Sequence, residues 1–194
     1  MLDFQIIEFW KWFEKSSPKL DSENFDKGLL KKLDNKIENW ELTWEIGPGL
    51  TKKHSLTISP NGSINLLDKT RNIIDQAPVL AEWEFYSSKQ PKENWDRAKL
   101  IDKNFEFEAK NWTYVLLKYP DDKIEIQIKA ENLKSLDSHS KEIAVDLVLT
   151  NLLGEERKIH DIDFIEIVDD FDNDDETTQL KFLPDHLSQT KNGA

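Results

Sequence analysis

The stretch Leu42-Thr43-Trp44-Glu45-Ile46-Gly47-Pro48-Gly49 divides the chain into two kinds of pattern. Before it, apolar residues recur at helical spacing; after it, they mostly alternate as in strands. A chain that changes period in this way is confined to the α+β class. The arrangement it predicts is an N-terminal helical hairpin packed on a largely antiparallel sheet, with a late strand-helix-strand crossover. Within the stretch, Trp44 and Ile46 point to one side of a strand and Thr43 and Glu45 to the other. Gly47-Pro48-Gly49 then ends it, because proline donates nothing to a ladder and glycine reaches φ values that other residues avoid. The loop reads as a hairpin turn. The alternative is a loop that brings backbone N–H groups to an anion, although both G-x-x-x-x-G-K-[ST] and G-x-G-x-x-G are absent.

Upstream, Asp3 to Lys15 reads as a helix in which Phe4, Ile6, Ile7, Phe9, Trp10, Trp12 and Phe13 exceed the usual apolar stripe. The cluster Phe9-Trp10-Lys11-Trp12-Phe13 is read as core, with an interface as the alternative. Ser17-Pro18 stops the helix, since the residue before proline avoids the helical region. A second helix is expected from Ser22, as N-cap, to Asn39, with Phe25, Leu29, Leu33, Ile37 and Trp40 on one face.

Downstream, His54 to Ser59 is the return strand and Pro60-Asn61-Gly62 a turn. Ile64 and Leu66 alternate like the start of a strand, followed by a short helix from Asp68 to Gln76. Trp83 to Tyr86 and Phe105 to Glu108 are strands. Ser87 to Asp102 has no regular pattern and reads as a surface connection; Lys89 and Trp95 make a functional loop the alternative. Trp112 to Tyr119 and Ile124 to Lys129 form a hairpin across Pro120-Asp121-Asp122-Lys123. Ser138 or Ser140 caps a helix that runs to Leu153, with Gly154 at its C-terminal end. Ile159 to Val168 is the closing strand, returned to the sheet by a crossover. The expected organisation is one domain over residues 1–168, divided into a hairpin of helices at 1–40 and a sheet with two helices at 41–168. Residues 169–194 form an acidic tail, loose from Pro184 onward.

Length, charge and the missing cysteines set bounds. A chain of 194 residues needs no covalent staples, and with no cysteine there are no disulfides, thiolate metal sites or thiol nucleophiles. No basic leader and no apolar run of membrane-spanning length is visible, so a cytoplasmic protein is expected. The formal net charge of -12 opposes nucleic-acid phosphates and anionic lipid heads and favours a basic protein partner.

Tests for chemistry give little. Asp170, Asp172 and Asp174 mimic the first ligands of an EF-hand loop, but Asp175 and Lys181 stand where that loop needs glycine and glutamate. His54, His139, His160 and His186 lack the spacing of helical metal ligands, and in a strand His160 and Asp161 would face opposite ways. No G-x-S-x-G is present. Neither a catalytic set, a metal site nor a cofactor is expected. The candidate ligand-binding residues are Trp44, Glu45, Trp83, Lys89, Trp95 and Trp112, where aromatic walls with a few charged anchors suit a pocket near the Gly-Pro-Gly turn.

Taken together, Phe9-Trp10-Lys11-Trp12-Phe13, Glu45-Ile46-Gly47-Pro48-Gly49, Ile58-Ser59-Pro60-Asn61-Gly62, Ala77-Pro78 and Trp83-Glu84-Phe85 resemble a group of uncharacterised bacterial proteins of unknown function. The resemblance runs to about Val168. It implies a bacterial, cytoplasmic protein and brings no activity or catalytic residue. The expected function is that of a small acidic binding or regulatory protein, in one version an immunity-type inhibitor of a basic partner. A small-ligand-binding protein or enzyme, and a subunit that self-associates through its first helix, are the alternatives.

Overall fold

Amphipathic spacing places the N-terminal helix, α1 (Asp3–Ser16), with Ile6, Phe9, Trp10 and Phe13 buried along one stripe. The computed structural model describes residues 3–20, 26–172 and 177–192. These divide between Lys89 and Gln90 into two compact units, each with its own core. The chain is α+β.

In the first unit, α2 (Lys27–Glu38) begins at Asp26, whose carboxylate accepts from the N–H groups of Gly28 and Leu29 at 2.8 and 3.2 Å. The expected cap Ser22 and the apolar Phe25 lie outside the described residues. The period then changes as expected, and β1 (Thr43–Pro48) pairs antiparallel with β2 (His54–Ser59). Helix α3 (Ile64–Ile74) follows the Asn61-Gly62 turn, where both residues have positive φ. Ile64 and Leu66 are thus helical and start no strand, a correction with a simple cause. Leu67, Thr70 and Ile73 are buried at three-residue spacing, and this stripe outweighs the two-residue alternation at its start. The helix carries the chain across to β3 (Trp83–Tyr86), which lies parallel to β2. Leu56, Ile58, Trp83 and Phe85 share one face of the resulting β1-β2-β3 sheet, and the helices cover it. Phe13 meets Trp83 edge-on at 5.0 Å, Trp10 meets Phe85 at 4.8 Å, and Phe9 meets Trp40 at 5.1 Å. The indole of Trp10 donates to the Ile73 carbonyl at 2.8 Å. The aromatic cluster of α1 is therefore core, apart from Trp12, which is half-buried beneath the Lys36 ammonium.

The second unit begins with a hairpin of β4 (Arg97–Leu100) and β5 (Phe105–Glu108). Strand β4 falls where no regular element is expected; its Arg-Ala-Lys-Leu sequence has one buried residue, too few for an alternation to register. The expected hairpin is present as β6 (Thr113–Lys118) and β7 (Ile124–Lys129), with Ile124, Ile126 and Ile128 buried. Helix α4 (Ser138–Leu153) is capped by Asp137 rather than by either serine, its carboxylate accepting from the Ser140 N–H at 2.9 Å and the Ser140 hydroxyl at 2.8 Å. Those two bonds, helped by Lys103, hold the Asp137 carboxyl well below the usual range.

After Gly154, at φ 80°, the chain enters α5 (Glu155–Asp161) and only then β8 (Phe164–Val168). The expected strand start at Ile159 is corrected by helix electrostatics. Glu155 and Glu156 stand at the positive end, Lys158 and His160 at the negative end, and Arg157 pairs with Asp161 at 3.0 Å across one turn. His160 and Asp161 accordingly sit on a helix. Strand β8 returns parallel to β7, completing the late crossover. The short β9 (Thr178–Gln179) pairs with the opposite edge, giving the order β8-β7-β6-β9. Where one sheet was expected there are three among the described residues, because pairing stops at the irregular stretch after Tyr86 and again between Glu108 and Thr113.

The sequence pattern places residues 1–168 in one domain; the contacts cluster into the two units above, and the second includes 177–192. The loose end expected from Pro184 is instead α6 (Leu183–Asn192). Leu180, Leu183 and Leu187 are fully buried in the second core, and the Arg157 guanidinium donates to the Pro184 carbonyl at 2.6 Å and the Ser188 hydroxyl at 2.9 Å. Among the described residues no helix is long and apolar enough to cross a membrane.

Candidate functional site

The Gly-Pro-Gly loop does bring backbone donors to an anion, and the anion is the protein's own. Strand β3 presents Glu84 to the loop between β1 and β2. Its carboxylate accepts from the N–H groups of Leu50 and Thr51, from the Thr51 hydroxyl at 2.5 Å and from the Tyr86 hydroxyl at 2.7 Å. The Thr51 hydroxyl does most to pull the Glu84 carboxyl down to about 2, with Tyr86 and the two N–H groups adding to it against partial desolvation. Burial and the neighbouring Glu84 charge push the Tyr86 hydroxyl up to about 12. Lys52 donates to the Leu80 carbonyl at 2.7 Å and fastens the loop from its other end. Gly49 has no room for a side chain: a Cβ there would stand 2.5 Å from the Lys52 carbonyl oxygen and 2.6 Å from Glu84 Oε1. The pattern located the loop, but nothing local points to Glu84, 33 residues away from Thr51.

The six candidate residues divide between the two units. Trp44, Glu45, Trp83 and Lys89 belong to the first unit, Trp95 and Trp112 to the second. Trp44 is half-buried and donates to Asp34 on α2 at 3.0 Å. Glu45 is half-buried on the other face of β1, opposite Thr57. Trp83 is buried between Phe13 and His54. Lys89 and Trp95 are both partly buried, Trp95 against the second core.

Trp112 does border a cleft. About 560 Å³ in volume, the cleft is lined by Trp112 and Phe171, by Glu108 and Glu131, and by Lys129 and Asn132. The Trp112 indole donates to Asn132 Oδ1 at 2.8 Å, and Asn132 in turn donates to the Glu108 carbonyl at 2.9 Å, so the floor is rigidly set. Lys129 pairs with Asp170 at 2.8 Å, which draws the Asp170 carboxyl below its ordinary value. Trp112 is almost wholly buried, so the ring presented beside Glu108 and Glu131 is that of Phe171, and this lining suits a cationic side chain better than an anion. A second cleft, about 450 Å³, holds Tyr114 and His186, whose Nδ1 lies 2.6 Å from the Tyr114 hydroxyl. Burial, then the Asp185 charge, pushes that hydroxyl upward, so it stays protonated at neutral pH. The pair was not found in the sequence, since 72 positions separate its members.

Among the described residues no group of three or more His, Cys, Asp or Glu side chains is arranged to hold a metal ion. Asp174, the third member of the EF-hand-like run, lies outside them. Acidity is unevenly distributed. The second unit has 24 acidic against 14 basic side chains, the first 14 against 12. From Asp161 to Glu176 the sequence has nine acidic residues and no basic one. Strand β8 lies within that span. No family model matches the chain, and no curated protein or solved structure is significantly similar to it.

Proposed function

We propose that this chain is a small acidic binding or regulatory protein of the cytoplasm that associates with a basic protein partner, as an immunity-type inhibitor does. The observation that carries the reading is the segregation of charge onto the second unit, with an unbroken acidic span from Asp161 to Glu176. Such a field accelerates encounter with a cationic surface and repels phosphate backbones. The Phe171 ring and the Glu108 and Glu131 carboxylates lining the cleft beside Trp112 support it, because that chemistry accepts an arginine or lysine side chain. The test is retention on the immobilised full chain at low and at high salt. A basic protein held at low ionic strength, with an association rate that falls as salt rises, is the expected result. Retention of nothing at either ionic strength removes the reading.

A second reading, a small-ligand binder or enzyme, is favoured by the size of the Trp112 cleft alone. The Gly-Pro-Gly loop supports it less, since Glu84 takes the loop's donors. Quenching of Trp112 emission by a small molecule, abolished in Trp112→Phe, would favour this reading over the first.

A further inference from the structure

Among the described residues, strand β8 has one bonded neighbour, β7. The turn bond from the Tyr119 N–H to the Lys123 carbonyl fixes which residues of β7 bond to β6. Counting in steps of two, Glu125, Gln127 and Lys129 turn their backbone groups toward β6. Ile124, Ile126 and Ile128 therefore turn theirs toward β8; Ile126 stands beside Ile165 and Ile128 beside Ile167, and because a residue of a parallel ladder bonds the neighbours of its partner, the bonds run to Phe164, Glu166 and Val168. The N–H and C=O groups of Ile165 and Ile167 are left pointing away from the sheet. Among the described residues no strand pairs with that side.

An open edge of this kind is ordinarily blunted by lysine, proline or a bulge. The sequence Phe164-Ile165-Glu166-Ile167-Val168 has none of them. Phe164 is 52% exposed and Ile165 40%, so apolar surface accompanies the free backbone groups. The flanks are acidic: Asp163 and Glu166 are exposed, as are Asp169 and Asp172, and no basic residue interrupts the span. Two copies of this edge would bring like charges together, whereas an extended segment bearing lysine or arginine meets complementary charge on both flanks.

We infer that the open edge of β8 receives an extended basic segment of the partner as an added strand. The inference rests on the reading of the chain as an acidic binder. Main-chain bonds to Ile165 and Ile167 supply affinity. Alternate side chains of the added strand meet the apolar side formed by Ile165 and Ile167 or the side that carries Glu166.

The test uses the full chain and three labelled peptides of equal positive charge. One alternates valine and lysine, the second is the same peptide with alternate amides N-methylated, and the third alternates glycine and lysine. The valine–lysine peptide should bind about tenfold or more tightly than the other two at low ionic strength, as expected when two backbone bonds are lost. The Ile165 and Ile167 amide resonances should move most on binding. Ile165→Pro removes an outward-facing N–H without touching the β7 ladder, and should weaken the valine–lysine peptide to the level of its methylated form. If that variant melts early, the comparison of peptides on the unaltered chain decides. Equal binding of all three peptides overturns the added strand and leaves the acidic binder standing. No binding of any of them at low ionic strength removes both. A stable dimer that Ile165→Pro converts to monomer makes the occupant a second copy, and overturns the inference.

Discussion

Glu84 does for the Gly-Pro-Gly loop what a bound anion does for a phosphate-binding loop: it draws two N–H groups and a hydroxyl inward and holds them. Because its folded value is depressed to about 2 from 4.5, its contribution to stability is fully present above 4.5. That contribution is lost as pH falls through the folded value. Urea unfolding followed between pH 6 and 2.5 should show the wild-type midpoint dropping more steeply below pH 4.5 than that of Glu84→Gln, which has no carboxyl to titrate. Parallel curves would show that the carboxylate is not clasped in solution. Gly49→Ala tests the same loop by volume. Its new methyl meets the Lys52 backbone carbonyl as well as Glu84, and backbone does not swing aside as a side chain does. The variant should lose about 1–3 kcal/mol, measured by chemical denaturation. A turn was legible here from three residues, but its locking group was not, because a contact between Thr51 and Glu84 leaves no periodicity for a sequence pattern to record.

Elements with a strong period were legible, and those set by distant partners were not. The alternation of Ile124, Ile126 and Ile128 with charged residues gives β7 directly, and the stripe of Ile6, Phe9, Trp10 and Phe13 gives α1. Helix α5 has an apolar content no higher than a loop and is read correctly only once its end charges are weighed. Helix α6 looks like a loose end until Arg157 is seen holding its first turn and the core is seen closing over Leu187. Leu187→Ala should therefore cost about 2–5 kcal/mol, the range for a leucine deleted from a packed interior. A cost near zero would return this segment to the status of a tail. The Tyr114–His186 bond belongs to the same docking, and Tyr114→Phe should cost about 0.5–1.5 kcal/mol by the same measurement.

Across the whole chain the two units share a connectivity. A hairpin, β1-β2 or β6-β7, is followed by a helical crossover and a third strand parallel to the second. Hairpins are local and were foreseen. The parallel partner of β2 was not, since its register depends on closing α3 over the sheet rather than on the strand's own pattern. What differs between the units is charge, concentrated in the second, and tryptophan, concentrated in the first. Five of the seven tryptophans, Trp10, Trp12, Trp40, Trp44 and Trp83, lie in the first unit. With separate cores, guanidinium unfolding followed by indole emission and by far-ultraviolet circular dichroism should give different midpoints. Superimposable curves would mean that the two cores melt as one.

The lopsided placement of indoles has a practical sequel. An emission trace reports chiefly on the region before Lys89, so damage confined to α6 or β8 would pass almost unseen in it. Variants such as Leu187→Ala or Ile165→Pro need a label of their own. Tyr114 and Trp112, in the second core, are the native chromophores placed to supply one.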